Sequence, residues 1–415
     1  MKPADVRRRS EQLVASGQVQ QAGTLIADAL KLQPFEPDLV LAKANIMLAG
    51  RQYQQAVETL AELIRRKPDN PDAFFLLGNA YRATQLVTEA AKAYGRTLEL
   101  APDYPGAAHF LGLVSQQIGD LDTAESAFRA ACEQRPELPV LRFRLGSVQH
   151  MQGRYAQAAN SYRQALRRDA THPPTLTNLG LALIALDEDA EAVEVARQQL
   201  AHVPGHTLAL ANLLYASLGA GDSATVAELL DGTLIQEGRL PSSALDDWAA
   251  ALEALPRTRE SDDDRYTTLE FRIEEQPAFR AMGDALEAMV AAHIAVCRTR
   301  TAHPWANHLP DGWTLRLWGE SKHGGDEEPT HCHPRAFMSG LAYLSIPPGA
   351  GPNTVEFGIG DEAYGGRVPP DSPRIEVNAG SLLLFPAYFF HRTSAFAGEG
   401  NRVRIAFDVL APTRS

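Results

Sequence analysis

Long apolar runs and cysteine are scarce in this chain of 415 residues. No stretch approaches the roughly 18–20 apolar residues that a membrane-spanning helix requires, so we expect no membrane segment. The basic residues 1–12 are not followed by the apolar segment of a secretory signal. The three cysteines, Cys132, Cys297 and Cys332, show no C-x-x-C spacing and are odd in number. This usage predicts no disulfide framework and favours a reducing cytoplasm.

Basic charge is also scarce. The chain has 39 Lys and Arg against 51 Asp and Glu, and its formal net charge is −12. A general nucleic-acid binder needs clustered cations to neutralise phosphates, so this balance argues against that class. The composition, 45% hydrophobic and 22% charged, is that of a folded protein. The length suits two or three domains.

A 34-residue period runs through the first half of the chain. Proline recurs at this spacing, except at the fifth position of the series, which is Ala170. The recurring prolines are Pro34, Pro68, Pro102, Pro136 and Pro204. Small residues recur 24 and 12 residues before each of these positions. They would let the two helices of a hairpin approach closely. Aromatic residues recur at a third phase, and we expect them to fill the gap between hairpins. They are Tyr94, Phe128 and Tyr162.

This pattern resembles the tetratricopeptide repeat, a helix–turn–helix unit of about 34 residues. The resemblance covers residues 3–204, and a degraded unit at 205–238 would cap the array, so the predicted first domain is 1–238. It implies an all-α superhelix that binds a protein or peptide in its groove. A scaffold or oligomerisation arm with no ligand is the alternative. Candidate groove residues are Asn79, Arg82, Arg142, Arg144 and Asn178.

Residues 239–311 are predicted to be a helical connector. The charged, apolar-poor stretch 257–268 is the candidate hinge. Apolar residues at helical spacing predict a long amphipathic helix over 277–297. His293 lies within this helix, where a packed histidine is the simpler interpretation than a ligand.

From residue 312 to the end the apolar period changes from helical to two, which predicts an all-β domain of antiparallel strands. The strands are separated by turns rich in glycine and proline. The predicted strands span 313–318, 338–346, 353–358, 374–378, 381–388 and 402–410.

Three histidines and one arginine stand out in this domain. If His331 and His333 open one strand, alternation puts both imidazoles on one face. His391, after an apolar run, would bring a third imidazole and complete a facial set of donors on a metal. Alternation puts Arg404 on the face opposite Ile405, as an inward charge that remains uncompensated unless an anion meets it. The arginine fork suits a carboxylate.

These segments resemble the Fe(II)/2-oxoglutarate-dependent oxygenases, which have a double-stranded β-helix (jelly-roll) fold. The matching pieces are HCHP at 331–334, SGLAYL at 339–344, GSLLLFPAYFFH at 380–391 and RIAF at 404–407. The resemblance implies Fe(II) and 2-oxoglutarate as cofactors. It implies that His331 and His391 bind iron, that Arg404 binds the distal carboxylate of 2-oxoglutarate, and that Tyr343 contacts the co-substrate.

The chain departs from the wider superfamily at His333, where a carboxylate is usual. Either His333 is the third metal ligand, or the third ligand is water or a remote acid such as Glu356. Arg402 shares a face with Arg404 and competes with it for the anion. His323 lies in a predicted acidic loop beside the site, where a solvated histidine is the simpler interpretation.

Together the two resemblances predict an oxygenase, most simply a hydroxylase, that acts on a protein or peptide recruited by the repeats. One alternative is a cupin-type metalloprotein that does not use 2-oxoglutarate, although Phe337 and Met338 stand where a cupin has its glutamate. The other alternative is a non-catalytic tetratricopeptide adaptor with an inactive barrel.

Overall fold

The structure is a computed structural model that describes residues 2–259, 266–268, 270–325, 328–351, 353–396 and 399–412. The chain divides into two compact units, Met1–Ala170 and Thr171–Ser415. The described residues contain no helix that is both long and apolar enough to cross a membrane.

The first unit is built from paired α-helices, and proline or a capping side chain marks the start of several of them. Proline opens several first helices, where its missing N–H costs nothing. At the start of α5, Asn70 also caps the helix, because its side chain accepts a hydrogen bond from the Ala73 N–H at 3.1 Å. The helices are α1 Pro3–Ala15, α2 Val19–Leu32, α3 Pro37–Ala49, α4 Tyr53–Arg66, α5 Pro71–Ala83, α6 Val87–Leu100, α7 Ala107–Ile118, α8 Leu121–Gln134, α9 Pro139–Met151 and α10 Tyr155–Leu166.

The recurring glycines and aromatics meet each other inside single hairpins. A Cβ added to Gly112 in α7 would lie 2.7 Å from the ring of Phe128 in α8, and Gly78 faces the Tyr94 ring at the same distance. The expectation that these aromatics fill the space between hairpins is therefore incomplete. Each ring first covers the glycine of its own hairpin, and Tyr94 also stacks on Phe110 of the next hairpin, with centroids 5.7 Å apart.

The second unit begins with four more helices of the repeat pattern. These are α11 Pro173–Ile184, α12 Asp189–His202, α13 Thr207–Gly219 and α14 Ser223–Leu229. They pack against the β-rich part of the same unit. Thr207 donates to the Ala336 carbonyl at 2.9 Å, and the Tyr364 hydroxyl donates to the side chain of Asn212 at 2.8 Å. The boundary between the compact units, after residue 170, thus falls inside the predicted repeat domain 1–238.

The connector holds the predicted amphipathic helix as α16, Arg280–Cys297, after a shorter helix α15, Leu245–Glu253. His293 is buried and its Nε2 bonds the Leu234 carbonyl at 3.0 Å, which confirms a packed histidine. Residues 260–265 of the candidate hinge lie outside the described residues. On either side of them, residues 257–259 and 266–268 form two short strands that pair with each other. Strands of three residues are too short to show an alternation in the sequence.

The described residues form ten strands in two antiparallel sheets. They are β1 Gln236–Arg239, β2 Arg257–Arg259, β3 Tyr266–Thr268, β4 Thr314–His323, β5 Met338–Ser345, β6 Asn353–Phe357, β7 Arg374–Val377, β8 Ser381–Pro386, β9 His391–Thr393 and β10 Asn401–Leu410. The larger sheet has the order β1-β8-β5-β10-β4-β3-β2, and the smaller has β7-β6-β9. The predicted fold class, an all-α repeat array followed by an antiparallel β domain, is confirmed.

Two strand predictions need correction. His331 and His333 do not open a strand, because β5 begins only at Met338; His331 forms an isolated bridge with His391 instead. The prolines that flank this segment explain why it does not extend the sheet. His323 is not in a loop but ends β4, which pairs with β10 along its whole length.

The contact between Gly112 and Phe128 predicts an inverted effect of an alanine substitution. Alanine normally stabilises a helix by about 1 kcal/mol relative to glycine. Gly112→Ala should instead lower stability, because overpacking a core costs about 1–3 kcal/mol. Gly95→Ala is the matched control: Gly95 lies in α6, and an added Cβ meets nothing within 4 Å. Thermal unfolding followed by circular dichroism should show a lower Tm for the first variant and an unchanged or higher Tm for the second.

Candidate metal centre

Three histidines from two separated segments lie side by side in the β domain. Their ring centroids are 4.5 Å apart for His331 and His391, 5.2 Å for His331 and His333, and 5.3 Å for His333 and His391. Main-chain hydrogen bonds fix the two segments to each other: His391 N–H donates to the His331 carbonyl at 2.9 Å, and His333 N–H donates to the Ala387 carbonyl at 3.0 Å. The arrangement follows from backbone pairing and not from side-chain packing alone.

Each imidazole is held through its Nδ1 atom. His331 donates to the Pro329 carbonyl at 3.0 Å, and His391 donates to the Phe389 carbonyl at 3.1 Å. A carbonyl only accepts hydrogen bonds, so both Nδ1 atoms carry the proton and both Nε2 atoms keep a free lone pair. The third ring, His333, donates Nδ1–H to Oδ1 of Asp408 at 2.8 Å.

The donor atoms of the three histidines lie within 4.8 Å of one another, a spacing at which one cation can be held. Burial, followed by repulsion from the other two imidazoles, holds the pKa of His391 well below its ordinary value. Burial also lowers the pKa of His331. Both rings are therefore neutral donors near neutral pH. Among the described residues, no Cys, Asp or Glu joins this group as a further ligand.

Aromatic rings enclose the histidines. The Trp318 ring stacks on His333 with centroids 5.7 Å apart, and the Phe385 ring meets His391 edge-on at 4.6 Å. Only 10% of the His333 side chain is exposed, and His391 is 2% exposed. His333 and His391 thus lie away from bulk water, while His331 is half-buried. Such surroundings suit a cation that must bind a further ligand away from bulk water.

Asp408 is a site residue that the sequence interpretation missed. Its Oδ1 accepts from His333 and also from the Ser339 hydroxyl at 2.7 Å. Asp408 follows Arg404 by four residues on β10, so the alternation that places Arg404 inward also places Asp408 inward. The usual carboxylate is absent from the set of donors, but Asp408 supplies a negative charge directly behind the imidazole that replaces it.

Arg404 faces inward as predicted, but its charge is compensated by the chain itself. Nε and Nη2 donate to Oε2 of Glu320 at 2.8 and 2.5 Å, and Nη2 also donates to Oε2 of Glu328 at 2.9 Å. Although burial alone would raise it, the positive charge of Arg404 lowers the pKa of Glu320 to about 2. The expectation that Arg404 remains uncompensated unless a bound anion meets it was therefore wrong, because the carboxylates of Glu320 and Glu328 lie against it.

Arg402 belongs to the same buried network. Its Nη2 donates to Oε1 of Glu328 at 2.9 Å, and its Nη1 donates to the Ser394 carbonyl at 2.9 Å. Arg402 is 1% exposed, Arg404 3% and Glu328 7%. Two guanidinium groups and two carboxylates form a cluster with no net charge. This balance explains how two arginines on one strand face are tolerated in the interior.

Tyr343 is fully buried and lies beside this network. Its hydroxyl is 3.0 Å from the Thr393 hydroxyl, which also accepts a hydrogen bond from Nη1 of Arg404 at 2.5 Å. The structure thus brings Tyr343 and Arg404 together through Thr393. Both also lie on directly paired positions of β5 and β10.

The alternative acid Glu356 lies elsewhere. Its carboxylate accepts from Arg392 at 2.9 Å and lies 3.5 Å from Arg374, while the next residue, Phe357, is the one that faces His391. Strand alternation therefore points Glu356 away from the histidines. His323 lies at the far end of β4, with its Nδ1 against the side chain of Asn401.

The contact with Asp408 predicts a measurable effect on cation affinity. Removing an outer-shell partner of a ligating histidine typically weakens metal binding about 10–100-fold. Asp408→Asn should therefore weaken Co(II) binding, followed by the visible absorption of the ion, about tenfold or more. Asp311→Asn, on an exposed loop, is the control and should bind as the parent does. Equal affinity in the parent and in Asp408→Asn would show that this carboxylate does not support the site.

Comparisons with protein families match two separate parts of the chain. Residues 316–408 match the family described as "Putative 2OG-Fe(II) oxygenase". Overlapping segments match the tetratricopeptide repeat, at 41–108, 78–139, 111–173 and 152–207. No curated protein sequence is significantly similar to the chain.

Solved structures resemble the repeats. YrrB, "a TPR protein with an unusual peptide-binding site", is 18% identical with a TM-score of 0.43, covering 45% of this chain and 95% of its own. MamA from Desulfovibrio magneticus RS-1 is 18% identical with a TM-score of 0.37, covering 40% and 93%. A tetratricopeptide repeat protein from Thermus thermophilus, TTC0263, is 24% identical with a TM-score of 0.33, covering 44% and 100%. By the family models, segments within residues 41–207 match the tetratricopeptide repeat, and residues 316–408 match the 2OG-Fe(II) oxygenase family.

Proposed function

We propose that the β domain is an Fe(II)- and 2-oxoglutarate-dependent oxygenase whose substrate is a protein or peptide recruited by the repeats. The observation that carries the proposal is the three-histidine group, with every Nδ1 occupied and the Nε2 lone pairs left free, inside the segment that matches the oxygenase family.

His331, His333 and His391 would hold the iron. The donor set fits it: imidazole nitrogen suits iron, and a set from one side leaves coordination positions open. Bound iron, with an oxoacid and O2, supplies the oxidising chemistry that inserts oxygen into a C–H bond. The chain's own contribution is to fix the three rings through Pro329, Phe389 and Asp408, and to keep water out with the surrounding aromatic rings.

The candidate binding site for the oxoacid, at Arg404, is already occupied by side chains of the protein. Arg404 is the inward cation beside the histidines, close enough to lower the pKa of His391. Four of its five N–H groups already have acceptors: Nε, both hydrogens of Nη2 and one of Nη1. Only one N–H of Nη1 remains, so a carboxylate from outside can make two hydrogen bonds with this guanidinium only if a carboxylate of the chain moves away.

The same observation favours the second candidate, a metalloenzyme on this scaffold that does not use 2-oxoglutarate. In that case the Glu320 and Glu328 contacts with Arg404 are permanent structural ion pairs. The third candidate, a repeat adaptor without turnover, gives no reason for three neighbouring histidines with free Nε2 lone pairs, and we regard it as the weakest of the three.

A cationic surface that contains Arg82 of α5 and Arg144 of α9 supports a partner that carries carboxylates. The Arg82 guanidinium lies 4.9 Å from the centre of the Phe110 ring, and the His109 ring lies 5.3 Å from the same ring. After burial, the nearby Arg144 is the main cause that lowers the pKa of His109. Within the described part of the chain, neither arginine is paired with a carboxylate. We place the protein in a reducing cytoplasm, as its three free cysteines suggest.

The reaction is tested by turnover. Purified protein with Fe(II), ascorbate and 2-oxoglutarate should release succinate, and His391→Ala should abolish this release because it removes a metal donor. Arg404→Ala should reduce it at least tenfold, in line with the loss of a charge-assisted hydrogen bond of about 1.5–3 kcal/mol. Glu376→Gln, a conservative change on β7 outside the site, is the control. Metal binding without any use of 2-oxoglutarate would instead support the second candidate.

The substrate is tested by capture. Proteins retained by the immobilised full chain, and then incubated with Fe(II), 2-oxoglutarate and air, should gain the mass of one oxygen atom. The double variant Arg82→Ser, Arg144→Ser should retain less of them, because it removes the unpaired cations. The matched control replaces Arg65 and Arg96, which are exposed and already paired with Glu62 and Glu99. Equal retention by both double variants would mean that the cationic surface does not select the partner.

A further inference from the structure

We propose that Glu328 sets the affinity of this domain for its oxoacid, because its carboxylate occupies the position on Arg404 that the distal carboxylate of the co-substrate would take. The inference rests on the proposed function. It assigns to Glu328 a role as internal competitor, which neither the sequence motifs nor the metal site requires.

The two carboxylates on Arg404 are held with different strength. Glu320 lies directly opposite Arg404 in the pairing of β4 with β10 and accepts from both Nε and Nη2. Its other oxygen accepts from the Trp318 ring N–H at 3.0 Å. Glu320 is thus fixed by strand register and by a second side chain, and we do not expect it to leave.

Glu328 is held by one bond to Arg404 and lies outside the strands. Its Oε2 accepts from Nη2 of Arg404 at 2.9 Å and from the Thr393 N–H at 3.3 Å, while its Oε1 accepts from Arg402 at 2.9 Å. A small rotation of the carboxylate would release Arg404 and keep the bond to Arg402. Release of Glu328 therefore breaks one charged hydrogen bond to Arg404, whereas release of Glu320 breaks two.

The negative charge of Glu328 is expected to weaken binding of a further carboxylate at Arg404. Arg402 and Arg404 contribute two positive charges, and Glu320 and Glu328 contribute two negative ones, so these four side chains carry no net charge before an anion arrives. Lys322, opposite Arg402 in the sheet, adds a positive charge near Glu320. A further carboxylate must enter beside Glu328, and like charges placed together in a buried site are strongly unfavourable. Replacing Glu328 by the isosteric, neutral glutamine removes this repulsion and leaves only a weaker, neutral acceptor for Nη2 of Arg404.

The experiment measures binding without turnover. Co(II)-loaded full-length protein is titrated with 2-oxoglutarate by anaerobic calorimetry, for the parent, Glu328→Gln and Glu356→Gln. Glu328→Gln should lower Kd about tenfold or more, which corresponds to about 1.4 kcal/mol. Glu356 is the matched control, since it is a strand glutamate paired with an arginine outside this cluster, and its variant should bind as the parent does.

A second ligand and a second variant make the result specific. Pyruvate has the oxoacid end but no distal carboxylate, so Glu328→Gln should not change its affinity. Glu328→Asp keeps the charge but withdraws it by one methylene group, and should give a smaller gain for 2-oxoglutarate than the glutamine variant. The aspartate variant also tests the inference if Glu328→Gln fails to fold.

The outcomes separate this inference from the proposed function. If parent and Glu328→Gln bind 2-oxoglutarate equally, Glu328 is not a competitor and the inference is overturned, while the proposed function stands. If Glu328→Gln binds more weakly, Glu328 positions Arg404 for the anion, which also overturns it. If no variant binds 2-oxoglutarate although Co(II) binds, the proposed function fails as well.

Discussion

The inner face of β10 is the constraint on which the site depends. Four alternate residues of this strand, Arg402, Arg404, Ala406 and Asp408, point to the interior, and three of them are ionisable. Charges cannot be buried without partners, so the chain must supply acceptors around them. Glu320 and Glu328 neutralise the arginines at one end, and His333 and Ser339 satisfy Asp408 at the other. The candidate metal centre and the arginine–glutamate cluster are therefore two ends of one row of polar side chains on β10.

The histidines are positioned by main-chain geometry before any cation is considered. His331 and His391 exchange both backbone hydrogen bonds, so their side chains start from neighbouring positions on paired chains. Each ring is then turned by an acceptor at Nδ1. Because a cation needs its donors aligned together, holding the rings in advance removes part of the ordering cost of binding.

The second compact unit joins the last repeat helices to the β domain. Arg367, in a loop between β6 and β7, bonds Asp189 of α12 at 2.5 Å and the Tyr215 carbonyl of α13 at 3.0 Å. Tyr388, at the end of β8, donates to the Leu229 carbonyl of α14 at 2.5 Å. These buried polar contacts fix the end of the repeat array to the scaffold of the site within this unit. Within this unit, α12–α14 are therefore joined to the β domain by direct contacts as well as by the chain.

The sequence alone determined the elements that repeat or alternate. The 34-residue period identified the helical hairpins, and the H-x-H pair, His391 and the alternation around Arg404 identified the residues that meet in the site. Only the tertiary structure decided what surrounds them. Glu320 meets Arg404 through strand register, Glu328 reaches it from a segment without periodicity, and α11–α14 pack with the β domain although their sequence continues the repeat. Periodicity reports the direction in which a side chain points, but not which distant residue compensates its charge.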